Sequence, residues 1–505
     1  MHRTSGILLH PTSLPGPDGA GDLGPAAYRF LGWLAAAGQG LWQMLPLGPT
    51  GYQDSPYQCT SAFAGNPLLI SLDLLREAGW LDGADAALDG SLSWPAARVD
   101  FGAAHAHKDR QLLRAFERFE TQADAAARDD YARFCREQAD WLEDYALYAA
   151  IKRVQGGRSW SDWPQRLALR DAEALAEWQA ANGRAVQFQR FCQFLFFRQW
   201  HALRARAHAV GIRLIGDMPI FVAYDSAEVW THREWFQLDE AGHPSVVAGV
   251  PPDYFSATGQ RWGNPLYRWD ALAADGYGFW VRRLRRTLAL VDYVRIDHFR
   301  GFAGYWEVPA AEPNAINGRW VPGPGMALFR ALRDALGDPL PQIAEDLGVI
   351  TADVIALRDA LGLPGMAILQ MAFEDPSGGF AEPRFLPHNH RQQMVAYTGT
   401  HDNDTLLGWW TALDPALRAT ALRYLRSDGR EIHWELIATA LASVADLAVF
   451  PLQDVLGLGS EARMNRPGSG AGNWQWRCTA GQLDGADAAR LADMSALYGR
   501  APYPR

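Results

Sequence analysis

Four short apolar runs in this sequence each end in side chains that can do chemistry. These side chains are Asp217, Arg295 with Asp297, Glu345, and His401 with Asp402. Paired carboxyl groups can act as nucleophile and proton donor, and a guanidinium or imidazole beside them can bind oxygen atoms of a substrate. The pattern therefore favours an enzyme that uses acid–base or covalent catalysis.

The spacing of Arg295 and Asp297 predicts that the two side chains project together. Residues i and i+2 of a strand face the same side, so His298 is expected to point elsewhere or to begin a loop. A guanidinium beside Asp297 favours the ionised carboxylate, which is the form that a covalent nucleophile needs. The same spacing also fits a buried structural ion pair.

Glu345 follows an apolar run, and Asp346 after it is expected to face the opposite way. A partly desolvated carboxyl group close to another carboxylate has a raised pKa, as a general acid requires near neutral pH. A helix cap or a solvated loop charge is the alternative for Glu345. His401 and Asp402 suit vicinal hydroxyl groups, but they also fit a structural hydrogen bond or part of a metal site.

The elements that must position these residues are predicted from eight apolar or β-branched runs. The runs are Gly6–His10, Leu41–Pro46, Ile212–Asp217, Val291–Asp297, Pro341–Glu345, Ala367–Met371, Met394–His401 and Leu447–Leu452. Amphipathic segments lie between many of them, such as Ala26–Ala37, Gly278–Leu290, Met326–Gly337 and Thr351–Gly362. Alternating strands and helices predict an α/β fold, a (β/α)8 TIM barrel.

Two connections are too long for a single crossover helix, and they predict inserts in one catalytic barrel spanning residues 1–505. Approximately residues 66–190 are expected to form a largely helical inserted subdomain. Approximately residues 220–275 are expected to be an inserted loop region over the active site, since Gly249–Asn264 is rich in turn formers and aromatic residues.

A barrel brings the carboxyl ends of its strands to one open face, where active sites lie. Two carboxylates on adjacent strands at about 5 Å would match retaining glycoside chemistry, in which one attacks the anomeric carbon and the other protonates the leaving oxygen. Asp402 could then bind sugar hydroxyls and stabilise the transition state. Many of the 21 tryptophans could stack on sugar faces or simply pack the interior.

The motifs resemble those of the 4-alpha-glucanotransferases called amylomaltases or disproportionating enzymes, relatives of the alpha-amylases. The strand-end motifs carry this resemblance together with four further segments, at Gly6–Pro15, Asp54–Gln58, Pro252–Phe255 and Arg463–Trp474. Residues 75 to 185 match only loosely. The resemblance implies transfer of alpha-1,4-glucan segments between maltooligosaccharides, or longer alpha-1,4-glucans, by a retaining double displacement.

By this resemblance, Asp297 is expected to be the nucleophile, Glu345 the acid/base and Asp402 the transition-state carboxylate. The substrate-binding residues that it implies are Arg295, His401, Asp217, Ser55, Tyr57, Tyr254, Phe255, Trp262 and Asn465. The family needs no metal or organic cofactor, so none is expected here. An amylase-like hydrolase has the same carboxylates, and a non-catalytic glucan-binding protein would need only the aromatic residues.

The composition argues against some classes of partner and favours one cellular compartment. The net charge is -10 and no long run of Lys and Arg is present, which argues against nucleic acid and anionic membranes as partners. The four cysteines are far apart in sequence, as expected for reduced thiols in a cytoplasmic protein. The sequence contains no apolar stretch long enough to span a membrane, and it does not predict an oligomeric state.

Overall fold

The eight predicted runs form parallel strands around a barrel in the computed structural model, which describes residues 2–83, 93–252, 256–374, 383–483 and 485–501. Twelve strands lie in these residues: β1 Thr4–Leu8, β2 Leu41–Gln43, β3 Arg213–Pro219, β4 Val246–Val250, β5 Gln260–Pro265, β6 Tyr293–Asp297, β7 Gly304–Pro309, β8 Arg319–Pro322, β9 Gln342–Ala344, β10 Gly365–Ile368, β11 Met394–Tyr397 and β12 Leu447–Pro451. Each of the eight predicted strands corresponds to one strand of the barrel.

The barrel strands follow the order β10-β11-β12-β1-β2-β3-β6-β9, and every adjacent pair is parallel. The backbone N–H of Ala344 in β9 donates to the carbonyl of Pro364, next to β10, at 2.9 Å, which brings the two ends of the sheet together. Strands such as β12 are buried at every position because helices cover the outside, and they therefore read as unbroken apolar runs. The predicted (β/α)8 barrel is confirmed.

The predicted crossover helices are confirmed to within about two residues at each end. The described helices are Pro25–Ala36, Leu72–Glu77, Phe101–Gln122, Ala125–Glu137, Ala139–Val154, Gln165–Ala168, Ala172–Ala209, Ala227–Thr231, Trp269–Ala274, Gly278–Leu290, Gly325–Leu336, Ala352–Ala360, Leu406–Ala412, Pro415–Leu425, Ile432–Ala442, Leu452–Val455 and Gly485–Leu497. Within the described residues, every helix is too short or too polar to cross a bilayer.

The long connection from β2 to β3 is largely helical and has an aromatic core. Phe119 and Phe191, on helices Phe101–Gln122 and Ala172–Ala209, lie with ring centroids 4.9 Å apart. Farther along helix Ala172–Ala209, the Trp200 indole donates to the carbonyl of Leu290, beside the barrel. Several large aromatic side chains thus pack the interior, while the division at about residues 66 and 190 stays a prediction.

A second sheet, which the sequence did not predict, stands at the mouth of the barrel. Its four antiparallel strands follow the order β5-β4-β7-β8. Strands β4 and β5 fall inside the connection predicted as a loop region, and β7 and β8 follow the barrel strand β6. These strands were missed because they are short and mix glycine, proline and charged residues with the apolar ones, so no clear alternation marks them.

Candidate active site

The predicted chemical groups meet at the carboxyl ends of three adjacent barrel strands. In the strand register Asp217 of β3 lies opposite Arg295 of β6, and Ile296 lies opposite Ala344, the last residue of β9. Asp297 directly follows Ile296, and Glu345 directly follows Ala344. Parallel pairing thus carries these side chains to one end of the barrel, as the strand-end motifs predicted.

Arg295 is the central cation of the site and is 4% exposed. Its Nη1 donates to both oxygens of Asp217 at 2.8 Å and to Oδ1 of Asp297 at 3.0 Å, and the Tyr57 hydroxyl donates to Asp217 Oδ2 at 2.8 Å. Asp217 is fully covered, whereas the Asp297 side chain is 30% exposed. The prediction that the side chains of Arg295 and Asp297 project together is confirmed. Arg295 also forms a buried ion pair with Asp217.

The pKa of Asp297 is raised to about 8. Burial is the main cause, and the Arg295 guanidinium opposes it, while the carboxylates of Asp217, Glu345 and Asp402 add to the rise. Arg295 lowers the pKa of Asp297, as predicted, but burial and three neighbouring acids outweigh this effect, so that Asp297 and Glu345 together retain a proton.

Glu345 is held by two backbone groups. The N–H of His298 donates to its Oε2 at 2.7 Å, and the N–H of Leu347 donates to its Oε1 at 2.9 Å. Burial raises the pKa of Glu345 although Arg295 and these N–H groups favour its charged form. Asp346 faces the opposite way, as predicted, and its buried carboxylate binds Arg358.

His401 and Asp402 lie on the loop that follows β11. The imidazole of His401 is 5% exposed and stacks on Tyr57, with ring centroids 5.0 Å apart and planes inclined by 17°. Its Nε2 lies 3.4 Å from Asp402 Oδ1, which also accepts from Asn465 Nδ2 at 2.6 Å. Burial lowers the pKa of His401, so a neutral ring and a half-exposed carboxylate face the mouth together.

The other predicted binding residues are distributed around this centre. The Ser55 hydroxyl accepts from the backbone N–H of Tyr57 at 3.3 Å, which places Ser55 in the turn before that tyrosine. The half-buried ring of Trp262 in β5 meets the ring of His298 edge to face at 4.8 Å. Tyr254 and Phe255 lie outside the described residues.

Two residues without a predicted role, Arg463 and Trp474, complete the wall beside Asp402. Arg463 Nη2 donates to the backbone carbonyl of Asp402 at 2.7 Å. The Trp474 ring lies 5.9 Å from both the Tyr57 and the His401 rings. Both belong to the C-terminal segment that also supplies Asn465. The motif resemblance of this whole segment was the feature of the sequence that could have identified them.

Asp454 holds the loop of His401 and Asp402 from behind. Its two carboxylate oxygens accept from the Thr398 hydroxyl at 2.6 Å and from the backbone N–H of Leu406 at 2.8 Å. Burial raises its pKa to about 7. Nothing in the sequence around Asp454 distinguishes it, because its partners lie about 50 residues earlier in the chain.

The site as a whole suits a neutral substrate rich in hydroxyl groups. Carboxylates, a guanidinium and an imidazole can hold such groups, and Tyr57 and Trp474 offer flat faces for sugar rings. Within the described ranges, no cluster of three or more His, Cys, Asp or Glu side chains is arranged to hold a metal ion.

Comparisons with known proteins agree with this geometry. The family model described as 4-alpha-glucanotransferase, glycoside hydrolase family 77, matches residues 9–483. A 4-alpha-glucanotransferase of Thermus thermophilus is 54% identical over 98% of both chains, and one of Synechocystis is 50% identical over 99% of both. The structure of an amylomaltase from Streptococcus agalactiae in complex with acarbose superimposes with a TM-score of 0.95 at 37% identity, covering 99% of this chain and 100% of that one.

Proposed function

We infer the roles of the individual residues from one premise, which is that the chain belongs to the 4-alpha-glucanotransferase family. It transfers alpha-1,4-linked glucan segments from a donor chain to an acceptor, and the hydrolase alternative is not favoured. The observation that supports the roles best is the cluster at the ends of β3, β6 and β9, where Arg295 lies between Asp217 and Asp297 with Glu345 one strand away.

Asp297 is the nucleophile in this proposal and Glu345 is the general acid and base. An Asp297 oxygen attacks the anomeric carbon of the donor, the bond to the departing oxygen breaks, and Glu345 gives that oxygen its proton. An acceptor 4-hydroxyl then loses its proton to Glu345 and attacks the anomeric carbon, which releases Asp297. Two inversions at the same carbon retain the alpha configuration.

The proton that this scheme requires is consistent with the electrostatics of the free site. Burial raises the pKa of both Asp297 and Glu345, so the pair holds a proton near neutral pH. The hydrogen bond from Arg295 to Asp297 favours the form with the charge on Asp297 and the proton on Glu345. That is the form in which attack and protonation occur together.

Asp402 and the residues around it are proposed to hold the donor sugar at the point of cleavage. Asp402 is half-exposed at the mouth, and Asn465 and His401 fix its carboxylate. Hydrogen bonds from sugar hydroxyls to this carboxylate would strengthen as positive charge develops at the anomeric carbon. Tyr57 supplies a flat surface next to the same sugar, and Ser55, Tyr254 and Phe255 are proposed as further contacts.

The substrates proposed are maltooligosaccharides and longer alpha-1,4-glucans, with no nucleic acid or membrane partner. The cytoplasm is the proposed compartment, because all four cysteines are free, as expected for a reducing environment. The proposal includes no metal or organic cofactor, since the steps above need only carboxyl groups and hydroxyl groups.

Incubation with maltotriose, without added metal or nucleotide, tests the proposed function. Transfer predicts glucose together with maltooligosaccharides longer than maltotriose, which chromatography separates. Glucose and maltose alone would indicate hydrolysis, and Asp297→Asn should abolish both patterns. A variant Asp297→Asn with wild-type turnover would refute the proposed nucleophile.

A further inference from the structure

The loop that carries His401 and Asp402 is closed at its base by one carboxyl group. Thr398 directly follows strand β11, and Leu406 begins the helix after the loop. Asp454 Oδ2 accepts from the Thr398 hydroxyl at 2.6 Å, and Oδ1 accepts from the backbone N–H of Leu406 at 2.8 Å. A single side chain thus joins the start of the loop to its end.

Asp454 itself belongs to a well-packed part of the barrel. It lies in the short helix Leu452–Val455, which directly follows β12, and β12 pairs with β11. Its residue is 1% exposed, and Thr398 and Leu406 are fully buried. Hydrogen bonds are stronger where water is excluded, so the neighbouring strand sets the position of the base of the loop.

The tip of the loop has hydrogen bonds of its own. Asn403 Oδ1 accepts from both the backbone N–H and the hydroxyl of Thr400 at 2.9 Å, which forms a tight turn. Gln370, which follows β10, donates from Nε2 to the carbonyl of Asp404 at 2.8 Å. The turn is therefore shaped from within, while its place over the barrel depends on Gln370 and on the base that Asp454 closes.

The Asp454 carboxyl group forms no ion pair within the described part of the chain. The other charged or titratable side chains around the same small cavity are His10, His401, Asp404 and Arg463. Burial, together with the charge of Asp404, raises the pKa of Asp454 to about 7. The Thr398 hydroxyl can donate to an ionised carboxyl group or accept from a protonated one, so both forms can close the loop.

We propose that Asp454 is a positioning residue for the reaction, which holds the loop of His401 and Asp402 in place against the donor sugar. The inference rests on the proposed function, in which Asp402 binds that sugar as charge develops at the anomeric carbon. A loop that is open at its base still leaves aromatic surfaces for glucan binding, but Asp402 no longer meets the sugar in the transition state. Loss of Asp454 should therefore lower kcat more than it raises KM.

Steady-state kinetics with maltotriose test this role in two variants. Asp454→Ala removes both hydrogen bonds, whereas Asp454→Asn keeps them, since its oxygen can accept from Leu406 and its amide can donate to Thr398. We expect Asp454→Ala to lower kcat about a hundredfold with KM changed less than about threefold, and Asp454→Asn to keep kcat within about threefold of the wild type. Equal falls in kcat in the two variants, or a loss in Asp454→Ala confined to KM, would overturn the positioning role.

Asp292→Ala is the matched control, because Asp292 is a largely buried carboxylate that binds the backbone at the opposite end of the barrel. It directly precedes β6, its side chain is 10% exposed, and its Oδ2 accepts from the N–H of Leu214 at 2.8 Å. Asp292→Ala should lower the melting temperature, as Asp454→Ala does, and leave kcat unchanged. A fall in kcat of the same size in both variants would show a general loss of stability and would overturn the inference.

Thr398→Val decides the question if Asp454→Ala does not fold. Valine keeps the shape of threonine and removes the hydroxyl, so one end of the loop loses its bond to Asp454. We expect kcat to fall about tenfold, and a wild-type value would overturn the inference alone. Wild-type turnover in Asp402→Asn would instead refute the role of Asp402, and a wild-type protein without activity on maltotriose would refute the proposed function itself.

Discussion

At the scale of single residues, the site concentrates more negative charge than its one buried guanidinium can balance. Arg295 contacts Asp217 and Asp297 directly, and Glu345 and Asp402 raise the pKa of Asp297 further. A cluster of this kind costs folding stability, since each ionised carboxylate must be removed from water. In the proposed mechanism, the same cluster supplies a proton close to the reacting carbon and a nucleophile next to it.

Asp297→Asn is expected to make the protein more stable in a pH-dependent way. The pKa of Asp297 is about 8 in the folded protein against an ordinary value of 3.8, so the folded state binds this proton more tightly than the unfolded state. Wild-type stability is therefore lost as pH rises between those values, and asparagine cannot ionise. We expect a melting temperature higher by about 2–5 °C at pH 8, with the difference vanishing towards pH 4.

Thermal unfolding at a series of pH values measures this effect. Glu240→Gln, at an exposed turn position, is the control and should leave the melting temperature unchanged at every pH. A melting temperature of Asp297→Asn equal to or below that of the wild type at pH 8 would show that the carboxylate is not destabilised in the fold.

At the scale of elements, we propose that the second sheet forms a wall on the acceptor side of the barrel mouth. Strands β4 and β5 flank the segment that contains Tyr254 and Phe255, and β5 carries Trp262. Both water and sugar can attack the covalent intermediate, so preference for sugar must come from surfaces that bind it and exclude water. The position of Trp262, against His298 and beside the proposed acid/base, suits it to that task.

Trp262→Ala is expected to weaken acceptor use more than donor cleavage. Loss of a stacking surface should lower the transfer-to-hydrolysis ratio about tenfold, which corresponds to about 1.4 kcal/mol, while donor cleavage falls less. Trp320→Ala is a matched control, because Trp320 is an exposed tryptophan on β8 of the same sheet, away from Trp262. A ratio in Trp262→Ala equal to that of the wild type would show that this wall does not select the acceptor.

The elements also show what could be predicted from sequence and why. The barrel strands were found because each is an apolar run that ends in a polar cluster, as in Tyr293–Asp297, and parallel strands buried on both faces require such runs. Strand β8, Arg319–Pro322, has no such pattern. The net shift in the pKa of Asp297 could not be predicted, because it depends on burial and on acids such as Asp402 that come near only in the folded chain.

At the scale of the whole molecule, the two ends of the barrel have different tasks. The carboxyl ends of the strands hold the proposed catalytic groups, and Arg500 binds backbone carbonyls at the opposite end. This fully buried guanidinium donates to six backbone carbonyls, those of Thr4, Ala440, Leu441, Ser443, Ala445 and Asp446. Thr4 begins β1 and Asp446 precedes β12, so the C-terminal segment joins the bases of two adjacent strands.

Arg500→Ala is expected to reduce stability without changing catalysis. Its removal takes away six hydrogen bonds and the packing of a fully buried side chain, although Arg3 still donates to the carbonyls of Leu441, Ser443 and Ala445. The loss should cost about 3–5 kcal/mol in the free energy of unfolding. Turnover per folded molecule should equal that of the wild type, because the site lies at the other end of the barrel. Denaturant unfolding and an assay at low temperature measure both quantities, with the exposed Arg430→Ala as the control. A lower turnover of the folded variant would show that the two ends are coupled.

The central claim is that Asp297 forms a covalent bond to the glucan while Glu345 supplies and removes the proton. Glu345→Gln incubated with alpha-maltotriosyl fluoride tests it most directly, because the fluoride leaves without an acid whereas release of the sugar needs a base. Mass spectrometry of the digested protein should then find a maltotriosyl adduct on the peptide that contains Asp297. An adduct on another residue would contradict the assignment of the nucleophile, and no adduct despite cleavage of the fluoride would contradict the need for Glu345 in the second step.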